Sequence, residues 1–211
     1  MTRRALAAFA VLAGFALAVP PTHAQRSAAA GNDGYRGFMD LSLITTSITS
    51  TTAEVQGMGA RGWGLELGGG FFVKRFFLAG VQFMGQFAGD KKEFSNNTTG
   101  GTRSSSVGFF DVSLFAGLHS PGIALGEKWQ LRLGVNLGKS WATGVRSIDN
   151  CSNCDREGLK IRGGVYYEPT VTFLVGTVGD GRDGGLFFSV RSYGAESDMR
   201  SAVLVGFRMF R

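Results

Sequence analysis

The sequence predicts an all-β chain folded as an eight-stranded antiparallel up-and-down transmembrane β-barrel. Three observations carry that prediction. Eight separate segments alternate apolar residues with polar residues or glycine, the period of a strand whose successive side chains point to opposite faces. The polar face of these segments holds mainly small residues and isolated charges, whereas a sheet surface facing water carries many Lys and Glu. An export signal precedes the pattern, and no later segment approaches a membrane-spanning helix. That absence excludes helical membrane proteins and leaves barrels open, because barrel strands give a weak hydropathy signal one by one.

Residues 1–24 read as a signal peptide. Arg3 and Arg4 form its charged start and Ala5 to Val19 its apolar run; the small residues Thr22 and Ala24 mark cleavage between Ala24 and Gln25. The apolar run is shorter than the ~18–20 residues a spanning helix needs. Residues 25–34 form a flexible leader, and residues 35–211 the barrel domain. Cleavage leaves about 187 residues (211 less 24), a size for one domain, and lowers the formal net charge from +6 to +4 by removing two arginines. With no basic stripe and an exported chain, a nucleic-acid role is excluded.

The strands follow in order. Met39, Leu41 and Leu43 alternate with Asp40 and Ser42; Trp63, Leu65 and Leu67 with Gly64, Glu66 and Gly68. Ala79, Val81, Phe83 and Phe87 alternate with Gly80, Gln82 and Gln86, and Phe110, Val112, Leu114, Ala116 and Leu118 with Asp111, Ser113 and Gly117. The fifth segment, Trp129 to Leu137, is the most regular: each odd position is large and apolar, each even one polar or glycine. Val165, Tyr167, Val171 and Phe173 stand against Glu168, Thr170 and Thr172; Leu186, Phe188 and Val190 against Ser189 and Arg191; Val203, Val205, Phe207 and Met209 against Gly206 and Arg208. Between them, Phe72–Phe76 reads as a tight turn, and His119–Lys128 and Gly176–Gly185 as moderate Gly/Pro-containing connections. Gly89–Ser106 and Ser140–Lys160 are long and polar, while the last connection, Gly194–Arg200, is short. Short turns at one end and longer loops at the other suit a membrane barrel with its loops outside.

Trp129 and Trp141 share a face twelve residues apart. At ~3.3 Å per residue and ~40° tilt they stand roughly 30 Å apart along the membrane normal. They are expected to belong to two aromatic girdles, Phe71 and Phe77 joining Trp129 on one side, Trp63 and Phe87 joining Trp141 on the other. The other face carries Asp40, Glu66, Asp111, Arg132, Glu168, Arg191 and Arg208. Four acids and three arginines inside a narrow barrel must pair, so an internal charge network is expected instead of an open pore, with Arg132→Ala leaving a carboxylate unpaired.

With these features the chain resembles the small outer-membrane β-barrels of the OmpA/OmpX-like group. The local match is Gly68-Gly69-Gly70-Phe71-Phe72-Val73-Lys74-Arg75-Phe76-Phe77-Leu78-Ala79-Gly80-Val81: a Gly-rich strand, an aromatic, a short turn and a returning apolar strand. The resemblance implies a place in the bacterial outer membrane, contact with its lipid, assembly by the barrel-assembly machinery, and loops 89–106 and 140–160 open to a surface ligand. The chain departs from the group at its end, where Phe210 is followed by Arg211 instead of closing the chain.

Candidate chemistry is sparse. Cys151 and Cys154 sit in a polar loop, and in an oxidising envelope they read as a small disulfide ring. The acidic neighbours Asp155 and Glu157 oppose a redox-active pair. One His after the signal peptide supplies too few zinc ligands. That residue, His119, followed by Ser120, reads as a surface turn histidine. The stretch 57–62 fits a dinucleotide pattern but precedes a strand, 179–184 reads as a turn before it reads as a calcium loop, and the sequons at 96–99 read as loop polarity. No cofactor and no metal are expected. The function expected is a non-enzymatic outer-membrane barrel with a side-chain-filled lumen and a structural, adhesive or envelope-integrity role. The alternatives are a lipid A deacylase-like enzyme of the same membrane and a soluble lipocalin-like binder, the latter opposed by the lumen charges.

Overall fold

Once the strands pair, alternation along each one becomes an inside and an outside. The structure, a computed structural model, describes residues 37–48, 61–72, 76–90, 105–126, 128–148, 157–175 and 184–210. Ten strands lie in these residues: β1 (Gly37–Ile48), β2 (Arg61–Phe72), β3 (Phe77–Asp90), β4 (Ser105–His119), β5 (Ile123–Ala124), β6 (Trp129–Ile148), β7 (Glu157–Leu159), β8 (Val165–Val175), β9 (Gly184–Tyr193) and β10 (Met199–Phe210). Eight are long. They pair antiparallel in the order β1-β2-β3-β4-β6-β8-β9-β10, and β10 pairs back onto β1, closing the sheet. The short arms β5 and β7 both lie against β6.

The register gives the barrel its dimensions. Stepping from Gly37 across Phe71, Ala79, Ala116, Leu137, Tyr167, Ser192 and Ser201 returns to β1 at Ser47, ten residues further along. Eight strands with a stagger of ten tilt by about 40° and enclose a cylinder of about 8 Å radius, given ~3.3 Å rise and ~4.8 Å strand spacing. The lumen is therefore wide enough for packed side chains and little else.

The outer surface of the described strands is Leu, Val, Phe, Met and Trp. Met39, Leu41 and Leu43 on β1, Leu65 and Leu67 on β2, and Val205, Phe207 and Met209 on β10 are all exposed. Between them in sequence, Asp40, Ser42, Glu66 and Arg208 are buried. The interior differs from the largely polar face expected from the sequence, because it also holds two apolar clusters. One contains Phe38, Leu78, Phe115, Leu174 and Phe210; the other Ile44, Met84, Phe109, Met199 and Leu204. On β1, β3 and β4 the polar positions Asp40, Gln82 and Ser113 lie between a member of one cluster and a member of the other.

One boundary also differs. Ser140–Lys160, expected to be loop, continues as strand to Ile148, and β7 then folds back to pair with Gly144–Arg146. Small and polar residues there follow the same alternation, with Trp141 and Val145 outward and Ser140 and Gly144 inward. The predicted signal peptide and leader, Cys151 and Cys154, and the stretches 96–99 and 179–183 lie outside the described residues.

Candidate functional site

The lumen brings together charges from strands far apart in sequence. Arg191 on β9 is fully buried, and its fork divides between two neighbours. Nε donates to Glu168 Oε2 at 2.6 Å, and Nη2 lies 2.9 Å from Glu66 Oε2. The same Nη2 donates to Gln82 Oε1 at 2.9 Å. Gln82 Oε1 is also 3.0 Å from the Tyr166 hydroxyl and 3.3 Å from Ser113 Oγ, and the Arg191 guanidinium stacks over the Tyr166 ring at 4.5 Å. The cluster thus draws on β2, β3, β4, β8 and β9. Two buried carboxylates share one arginine, a planar donor suited to bidentate contact.

A second pair joins the first strand to the last. Arg208 on β10 donates from Nε and Nη2 to the two oxygens of Asp40 on β1, at 2.6 and 2.7 Å. Its guanidinium also lies over the rings of Phe187 and Phe38, at 4.8 and 5.4 Å. Aromatic faces and a bidentate carboxylate together replace the water this cation gives up.

The remaining predicted lumen charges are placed differently. Arg132 sits with its guanidinium 5.1 Å from the Phe210 ring centre. Asp111 is fully buried, with the Ser140 hydroxyl on the neighbouring β6 the polar side chain that acts on its carboxylate. Arg191 and Arg208 thus hold the ion pairs that join Asp40, Glu66 and Glu168. Reasoning from charge alone missed the neutral members Gln82, Ser113, Tyr166 and Asn136. Strand parity marks Ser113, Tyr166 and Asn136, each an even number of residues from a buried charge on its own strand (Asp111, Glu168 and Arg132), while Gln82 is marked only by its alternation with the outward Phe83.

His119 corrects another expectation. It is buried at the end of β4, directly opposite Gly134 of β6, whose missing side chain leaves room for the imidazole ring. Its Nε2 lies 3.0 Å from Asn136 Oδ1, and Asn136 Nδ2 donates to Glu168 Oε1 at 3.2 Å. The imidazole therefore continues the charge cluster inward instead of facing solvent. Ser120 is buried too, and its Oγ is held between Leu133 N, which donates to it, and Pro121 O, which accepts from it.

The six aromatics expected at the membrane boundaries all face outward, each more than half exposed. Phe71, Phe77 and Trp129 stand at the strand ends joined by 73–76, 120–128 and 176–183. Trp63, Phe87 and Trp141 stand toward the opposite ends. Trp63 and Phe87 are cross-strand partners with ring centres 6.4 Å apart.

No protein family's sequence profile matches the chain, and no curated protein matches it. Among solved structures it is similar to Neisserial surface protein A, at 11% identity over 82% of this chain and 96% of that one, with a TM-score of 0.46. It is also similar to Ail, the attachment invasion locus protein of Yersinia pestis (7% identity, 85% and 98% covered, TM-score 0.41), and to the outer membrane protein OprG from Pseudomonas aeruginosa (8%, 85% and 95%, 0.37). These similarities concern the fold alone, which the strand pairing establishes by itself. Closed antiparallel order, eight long strands, an oily outside and a charged inside give this chain the architecture of the small eight-stranded outer-membrane barrels.

Proposed function

We propose that the protein is an integral outer-membrane barrel that anchors surface loops and contributes to adhesion or envelope integrity, without catalysing a reaction. The observation that carries this reading is the inversion of its surface. Leu, Phe, Val and Trp form the outside of every long strand, while Asp40, Glu66, Glu168, Arg191 and Arg208 are buried within. In water that arrangement would expose a continuous apolar belt, far beyond the few hundred Å² typical of soluble monomers. In a bilayer the belt faces acyl chains, and a closed sheet leaves no edge unpaired. Among the six outward aromatics, Trp63, Trp129 and Trp141 supply amphipathic rings suited to headgroup level, and the Trp129–Trp141 spacing matches the thickness between the two rows. Packed side chains in a narrow lumen make the barrel a scaffold, and the segments 49–60, 91–104 and 149–156 connect strand ends on one side of it.

The test is gel mobility of detergent-extracted protein with and without boiling. The folded barrel is expected to migrate differently unboiled, and to stay with the membrane fraction until detergent is added. A water-soluble monomer recovered without detergent would overturn the reading.

A further inference from the structure

Of the outward-facing strand side chains described between the two aromatic rows, Lys139 is the charged one. A lysine on a lipid-facing surface is costly at the midplane, by ~2–4 kcal/mol, and tolerable only near an interface. Lys139 sits two residues from Trp141 on β6, with its ammonium 5.5 Å from the Trp141 ring centre. Its cross-strand neighbours are Leu114 and Val165, both apolar and exposed.

Beside it the wall is not a smooth cylinder. Lys139, Ser140, Trp141, Arg162, Gly163 and Glu196 line an open groove of ≈ 460 Å³. Its far side is held rigidly. Arg162 N donates to Asp198 Oδ2 at 2.8 Å, and Arg162 O accepts from Asp198 N at 3.0 Å and from Ser197 Oγ at 3.2 Å. Ile161, next in the chain, is buried in the lumen cluster. Ser140 N donates to Gly164 O, drawing the segment against β6 so closely that a side chain at Gly163 would collide with Ser140 O. The Arg162 side chain is 56% exposed, with Nε 3.7 Å from Asp198 Oδ2.

We propose that this groove binds the phosphate-bearing headgroup of a lipid from the surrounding leaflet. The phosphate lies between Lys139 and Arg162, and an acyl chain runs down the barrel over Trp141 and Leu137. Two cations of different geometry on a fixed backbone suit a phosphate monoester, which takes a point charge and a planar donor together. The aromatic at the groove's edge and the exposed Leu114, Leu137 and Val165 below it continue the apolar surface that the rest of the lipid requires. The proposal rests on the membrane-barrel reading. It also explains why a charge is kept on an otherwise apolar face.

The test uses the full-length mature protein, purified in a neutral detergent and examined by native mass spectrometry with dioleoyl phosphatidic acid or with dioleoylglycerol, which lacks the phosphate. Heat-modifiable mobility is recorded on every sample, so that loss of the barrel reads separately from loss of the lipid. The unaltered protein is expected to retain phosphatidic acid and not dioleoylglycerol. Lys139→Gln and Arg162→Gln are each expected to lower its apparent affinity about tenfold while keeping the mobility shift. Lys128→Gln, at the opposite end of the barrel, is expected to leave it unchanged. Millimolar inorganic phosphate is expected not to displace the lipid. Retention by Lys139→Gln equal to that of the unaltered protein, an equal loss in Lys128→Gln, or displacement by inorganic phosphate alone would each overturn the proposal.

Discussion

Arg191 is the residue whose removal the structure predicts to be most costly. It is fully buried and serves Glu168, Glu66 and Gln82 at 2.6, 2.9 and 2.9 Å. Arg191→Met keeps much of the stem that packs over Tyr166 and removes the charge, leaving two carboxylates in a space with little water. Breaking one buried pair costs ~3–5 kcal/mol, and here two acids lose the same partner, so the upper end of that range is expected. With a urea dependence of ~2 kcal/mol per molar, the unfolding midpoint should fall by about 2 M. The assay is urea unfolding in lipid vesicles, followed by tryptophan fluorescence and by the mobility shift. A rescue separates charge from packing: adding Glu66→Gln and Glu168→Gln to Arg191→Met should restore at least half of the lost midpoint, since neutral amides carry no unpaired charge. A midpoint for Arg191→Met within about 0.3 M of the parent would refute the reasoning. A triple variant no more stable than the single one would show that Arg191 acts by volume and not by charge.

Two further outcomes follow from facing and fit. Leu67→Lys, on the outer wall of β2, should destabilise the barrel by ~2–4 kcal/mol in vesicles, read as a lower urea midpoint; an unchanged midpoint would place that wall in water. Gly138→Ala should displace the Tyr166 ring, which a side chain at 138 would strike, costing ~1–3 kcal/mol; the measured sign is again the urea midpoint, and an unchanged or raised midpoint would mean the ring has room to shift.

Much of the barrel was legible in the sequence because a period of two survives wherever one face is uniformly apolar. Leu41, Leu65, Leu114 and Val205 mark the outside, and their neighbours must then face the lumen. Legibility failed where that contrast faded. Between Ser140 and Ile148 the chain reads as loop because Gly, Ser and Thr occupy both faces near the rim, yet backbone pairing to β4 continues there. It failed again inside. Ile44, Phe109, Phe115, Leu174 and Leu204 lie on inward positions, and apolar residues on both faces blur the alternation that would have assigned them. The charged residues themselves were readable from parity, but not which would meet. Pairing of Arg191 with Glu168 and Glu66 depends on the ten-residue stagger, which brings different heights of different strands to one level. His119 was misplaced because a Gly/Pro-containing neighbourhood suggested an exposed turn, while Gly134 across the strand gap makes a buried seat for it.

The bond between Asp40 and Arg208 spans 168 residues of sequence. Asp40 lies near the start of the described chain and Arg208 near its end, so the first buried acid waits for the last strand to neutralise it. A sheet of seven strands would hold a bare carboxylate facing its unfinished interior. Sealing the cylinder and discharging that carboxylate are then one event, and a truncated or half-wrapped chain gains neither. Closure of the barrel and neutralisation of its first buried acid are thereby coupled through the pairing of the first strand with the last.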